Sequence, residues 1–87
     1  MKKVKKAVAL RYENGYNTPI VTASGMGFVA EKILETAKEN NVTIIDDSTL
    51  TDLLINVEVN TAIPPDLYEA VATVIAYVMD IDRRVRR

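Results

Sequence analysis

The chain has 87 residues, 48% of them hydrophobic and 26% charged, with a net charge of −1. That is the composition of one small folded domain and excludes a disordered segment. With no cysteine and no histidine, it has no disulfide framework, no thiolate metal site, no histidine base and no histidine pH switch. The longest apolar run, near Ala70–Met79, is interrupted by Thr73 and falls short of the ~20 residues a bilayer requires. The lysine-rich start has no apolar stretch of signal-peptide type behind it.

The charge is unevenly placed. Lys2, Lys3, Lys5 and Lys6 open the chain, and Arg83, Arg84, Arg86 and Arg87 close it. The stretch 7–82 keeps three basic residues (Arg11, Lys32, Lys38) against all twelve acids, a net charge of −9. An acidic body with basic ends is a poor nucleic-acid surface over most of its area. The ends themselves read as solvated tails, with an anionic membrane surface or an acidic partner as the functional alternative.

The first apolar run, Ala7–Tyr12, reads as a strand, and Glu13-Asn14-Gly15 as a turn after it. Pro19 suits the start of a second strand, Ile20–Ala23, which the short connection pairs antiparallel to the first. Ser24-Gly25-Met26-Gly27 is expected to break this strand. A helix then runs to about Asn40, with Met26, Val29, Ala30, Ile33, Leu34 and Ala37 on its apolar face. Asn40-Asn41 stops it. Val42-Thr43-Ile44-Ile45 is β-branched and reads as a third strand, parallel to the second through a strand–helix–strand unit.

Asp46-Asp47-Ser48 offers caps for a second helix, about Thr49–Val57, with Leu50, Leu53, Leu54 and Val57 as its stripe. Val59–Ala62 connects. Ile63-Pro64-Pro65 starts the last helix, whose buried face is Leu67, Val71, Val74, Ile75 and Val78, with Ala70, Ala72 and Ala76 allowing close packing. The predicted fold is a single α/β domain over 1–87, ordered about 7–82, with basic tails 1–6 and 83–87. Its order is β-β-α-β-α-α: a small three-stranded, partly parallel mixed sheet packed with three helices.

Little in this sequence supports catalysis. Ser24-Gly25-Met26-Gly27 lies where phosphates bind in nucleotide folds, but Ala30 stands where the third fingerprint glycine belongs. Asp46, Asp47 and Asp52 fit no calcium-loop spacing, and capping accounts for Asp47 and Ser48. Neither Ser24 nor Ser48 has a base placed beside it by the sequence. The expectation is a protein-binding domain that is not an enzyme and needs no cofactor or metal. A nucleic-acid binder using the basic ends is the competing class, weakened by the absence of tryptophan and of aromatic–basic interleaving.

Three blocks carry a resemblance. They are Ala7-Val8-Ala9-Leu10-x-Tyr12, Pro19-Ile20-Val21-x-Ala23-x-Gly25, and Ile63-Pro64-x-x-Leu67-Tyr68-x-Ala70-Val71-Ala72-x-Val74-Ile75-Ala76-x-Val78. Their order and spacing, over about residues 7–80, resemble the cytoplasmic C-terminal domain of the type III export switch proteins. This family comprises FlhB of the flagellar export apparatus and the injectisome relatives YscU and SpaS. The resemblance implies a bacterial protein in the cytoplasm or peripheral at the cytoplasmic face of the membrane export gate. Its role would be receiving export substrates and switching their specificity, in a flagellar or an injectisome setting. A cytosolic regulator that sequesters substrates is the alternative.

The family cleaves itself at Asn-Pro-Thr-His just before the first of these strands. Lys2, Lys3, Val4 and Lys5 occupy those positions here, so the resemblance implies a stand-alone version without autocleavage. The family's hydrophobic pocket maps onto Thr18, Pro19, Ala72 and Ile75. Departures fall at Ser24 (lysine in the family), at Ser48-Thr49-Leu50-Thr51-Asp52, where an arginine becomes Asp52, and at Asn60, a glycine in the family. The family's strand before the cleavage motif has no counterpart here, which leaves one sheet edge vacant. The implied partners are the N-terminal membrane fragment of an export switch protein, export substrates, or other export-gate components.

Overall fold

The computed structural model describes residues 4–12 and 18–85. Strands β1 (Lys6–Arg11) and β2 (Ile20–Met26) form an antiparallel pair, with Ala7 opposite Gly25 and Ala9 opposite Ala23, and a register shift between Ala9 and Leu10. The expected turn at Glu13-Asn14-Gly15 lies outside the described residues. Helix α1 (Phe28–Glu39) follows, then α2 (Ser48–Leu54), a 3₁₀ turn (Pro65–Leu67) and the long helix α3 (Tyr68–Val85). None of these helices is long and apolar enough to cross a membrane.

One core holds these elements together. Val21, Leu50, Leu54, Ile63 and Val71 are buried in a single cluster, with Val8, Leu10, Val57, Leu67, Val74 and Ile75 packed against it. The second helix and the last therefore bury much of the stripe read from their periodicity, although Leu53 turns outward. Ala7 and Ala30 are buried as well.

The sheet departs from expectation in two places. Ser24, Gly25 and Met26 continue β2 instead of ending it, and Met26 is a strand residue, not part of the α1 face. Gly25 is required there by close approach: a β-carbon on it would run into the side chain of Val29 on α1. The true break is Gly27, at φ 58° and ψ −122°, which caps α1.

The second departure concerns the third strand. Among the described residues the sheet has two strands, not three, and residues 42–47 carry no regular structure. The parallel strand–helix–strand unit is therefore absent. β-branched residues favour a strand only where a neighbouring strand supplies hydrogen bonds. Here the segment is tied elsewhere. Asn41 takes a left-handed conformation (φ 59°) after α1, the Val42 N–H donates to the Ala37 carbonyl at 2.9 Å, and Thr43 Oγ1 donates to Asp82 Oδ1 on α3 at 3.0 Å.

In its place the connection after α2 reaches the sheet. Val21 N–H donates to the Thr61 carbonyl (3.0 Å), Asn60 N–H to the Val21 carbonyl (2.6 Å), and Ile63 N–H to the Pro19 carbonyl (3.1 Å). Asn60 sits at φ 73°, a conformation that asparagine tolerates better than most non-glycine residues. Segment 60–63 thus covers the start of β2 on its far side. β1 has no strand on its own far side among the described residues.

Candidate functional site

Helix α3 carries two stripes. Val71 points into the core and is fully buried. Rotated from it, Tyr68, Ala72, Ile75, Ala76 and Met79 follow one another at three- and four-residue spacing, about 16 Å along the axis at 1.5 Å per residue. With Pro19 and Tyr12 they line an open pocket of about 320 Å³. The small side chains of Ala72 and Ala76 form its shallow part. Ile75 faces both ways, packing against the core and walling the pocket.

Of the four residues expected at this site, Pro19, Ala72 and Ile75 line the pocket directly. Thr18 stands at its rim and donates a long hydrogen bond, 3.4 Å, to the Tyr68 hydroxyl. Sequence reasoning missed Tyr12, Tyr68, Ala76 and Met79. The signal for three of them was present, since they share the helical spacing of Ala72 and Ile75. Tyr12, Tyr68 and Met79 are exposed at 44%, 45% and 51%. An aromatic- and methionine-lined concavity with one polar end suits an apolar side chain from another protein.

The other candidates resolve into structural duties. Asp47 Oδ1 accepts from the Leu50 N–H at 3.0 Å and caps α2. Asp52 pairs with Lys6 at 2.9 Å and ties α2 to β1. Ser24 lies within β2. The Gly27 N–H, which a phosphate at the start of α1 would need, donates instead to the Lys5 carbonyl at 2.7 Å. Of the positions matching the self-cleavage motif, Lys2 and Lys3 lie outside the described residues. Val4 is 61% exposed, and Lys5 makes the bond just described.

A second, larger concavity of about 810 Å³ opens beside the start of β1. Val4, Lys5 and Lys6 form one wall. Ile44, Ile45, Asp46 and Asp47 form the other, with Met26 and Leu34 between them and Ser48, Thr51 and Asp52 of α2 at one end.

Comparison with known proteins addresses the whole of this architecture. The family model described as the FlhB HrpN YscU SpaS family matches residues 4–78. The uncharacterized protein YlqH of Bacillus subtilis (strain 168) is 39% identical over 84 residues, covering 95% of this chain and 90% of that protein. The flagellar biosynthetic protein FlhB of Helicobacter pylori is 38% identical over 78 residues, 88% of this chain and 22% of that protein. The chain thus spans about a fifth of the FlhB proteins it matches. The crystal structure of the cytoplasmic domain of FlhB from Shewanella putrefaciens superposes with a TM-score of 0.86 at 33% identity, covering 93% of this chain and 68% of that one. The family-model match takes in both strands, the first two helices, α3 as far as Val78 and every residue that lines the α3 pocket except Met79. By sequence and by fold, the chain belongs to the FlhB/YscU/SpaS family of flagellar and type III export switch proteins.

Proposed function

We propose that the chain is a non-enzymatic, protein-binding component of the export apparatus, acting in substrate recognition or switching through the α3 pocket. The observation that carries this reading is the convergence of Pro19, Ala72 and Ile75 on one open apolar concavity, with Thr18 at its rim. Those residues come from two segments far apart in sequence. Around the buried Pro19 and the half-buried Ile75, the exposed side chains of Ala72, Tyr12, Tyr68 and Met79 leave apolar surface open to a partner. An export substrate would insert apolar anchors there, and no covalent step is involved. The chain acts at the cytoplasmic face of the export gate.

The same reading gives the chain a second partner, the N-terminal membrane fragment of an export switch protein, received on the open side of β1. Unpaired strand edges recruit strands from other chains. The test is affinity capture of export substrates and of that membrane fragment on the immobilised chain, alongside an Ala72→Trp variant whose indole fills the pocket. Capture of substrates by the parent and their loss with Ala72→Trp is the expected result. Equal capture by both proteins would remove the pocket from the mechanism.

A further inference from the structure

The pocket stripe of α3 does not stop at Met79. Four residues on, Arg83 continues it, with a side chain 80% exposed. Tyr68, Ala72, Ile75, Ala76, Met79 and Arg83 form one continuous face, about 22 Å from end to end at 1.5 Å per residue. We infer that this face is covered in the free protein by a second copy of the same chain, its α3 laid antiparallel across the pocket. The inference goes beyond substrate recognition and adds a control on it, since a self-paired chain has no open pocket.

A two-fold symmetric contact requires that residue i meet residue j wherever j meets i. The face meets this requirement about a point midway between Ile75 and Ala76. Ile75 then lies opposite Ala76 of the second copy, Ala72 opposite Met79, and Tyr68 opposite Arg83. Two of these couples set a large side chain against an alanine, which lets the helix axes approach to about 8 Å, the near end of the usual range. The third sets a guanidinium against a tyrosine ring, an attraction that strengthens as water is displaced. A parallel pair would instead put Met79 on Met79 and Ala72 on Ala72, so that bulge meets bulge and gap meets gap.

Charge favours the same alignment. Glu69 is exposed in the first turn of α3 and Arg83 in the last. In the antiparallel pair Glu69 comes within one residue, about 1.5 Å along the axis, of Arg83 of the second copy. Helical spacing puts both on the same flank of the face, and the two-fold axis makes the contact twice. Arg83 can turn to it, because its contact with Asp80 is long, 3.7 Å, while Arg84 approaches the same carboxylate at 3.2 Å. Asp82 does not oppose Glu69. It lies toward the other flank, where Thr43 Oγ1 donates to its carboxylate at 3.0 Å. In a parallel pair Glu69 would face Glu69.

Sedimentation velocity of the full chain tests this. The parent is expected to pass from monomer to dimer between about 10 and 500 μM, as suits a modest interface. Glu69→Arg and Arg83→Glu each set like charges at both contacts and weaken the dimer by at least about tenfold. Both sites are exposed, and circular dichroism checks that each variant keeps the fold. Mixed in equal amounts, the two variants restore both contacts and form a dimer at parental concentrations. A parent that stays monomeric throughout overturns self-pairing. A mixture no more dimeric than its separate components overturns the antiparallel register. No export substrate enters this test, so the two readings fail separately: a dimer that captures no substrate defeats the proposed function alone, and a monomer that captures substrate defeats this inference alone.

Discussion

Replacing Gly25 with alanine tests how closely α1 is seated on the sheet. A β-carbon at this position would stand 2.7 Å from the Val29 β-carbon and nearer still to one of its methyls. Carbon atoms settle at about 3.5–4.0 Å, so the helix must retreat by about 1 Å. Overpacking of this kind costs about 1–3 kcal/mol. Alanine recovers about 0.5–1 kcal/mol by restricting the unfolded chain. An approach this close falls in the upper part of the overpacking range, about 2–3 kcal/mol, so the net loss of about 1–2.5 kcal/mol corresponds to a fall in melting temperature of about 4–20 °C for a domain this size. Thermal unfolding followed by circular dichroism measures it. The discriminating arm is Gly25→Ala/Val29→Ala. Val29 is 55% exposed, so its truncation alone is mild, and in the double variant it removes the atoms that the new methyl strikes. Recovery of most of the lost stability is expected, a coupling that a double-mutant cycle reports directly. A Gly25→Ala protein as stable as the parent, or a double variant no better than the single, would refute the close-approach argument.

Other outcomes follow from single contacts. Asp47→Ala removes the α2 cap and should cost about 1 kcal/mol in urea unfolding, whereas Asp47→Ser should keep most of it. Asn60→Gly should be neutral or stabilising at φ 73°, while Asn60→Val should destabilise by about 1–2 kcal/mol because a β-branched residue resists that conformation. Phe28, 88% exposed, should tolerate serine within about 0.5 kcal/mol. Lys6→Ala should cost no more than about 1 kcal/mol, since its pair with Asp52 is solvent-exposed.

Periodicity made the helices legible, since Ala30, Leu50, Leu54 and Val71 fall where a 3.6-residue repeat places them and all are buried. Local turn chemistry was legible too, as Asn41 shows by ending α1 in the left-handed region. What stayed hidden depended on contacts between distant segments. Gly25 looked like a strand breaker because glycine usually is one. Its role as the seat for Val29 follows only from where α1 lies. Val42–Ile45 has the composition of a strand, but a strand also needs a neighbour, and composition carries no information about that. The pocket was reached through a family resemblance at Thr18, Pro19, Ala72 and Ile75. Tyr12 escaped notice because a half-exposed tyrosine outside the helix has no periodic signature of its own, whereas Tyr68 shared the spacing of Ala72 and Ile75.

Ile75 joins two roles that most binding sites keep apart. Its side chain belongs to the packing around Val71 and Leu54, and it is also a wall of the open pocket. A guest seated there completes the outer layer of the core, so occupancy and folding share one free-energy ledger. Any ligand that binds the folded chain alone raises its melting point by mass action, and here the contact is made directly on the core. The unfolding transition of the unlabelled protein therefore serves as a gauge of pocket filling, usable before any natural guest has been identified.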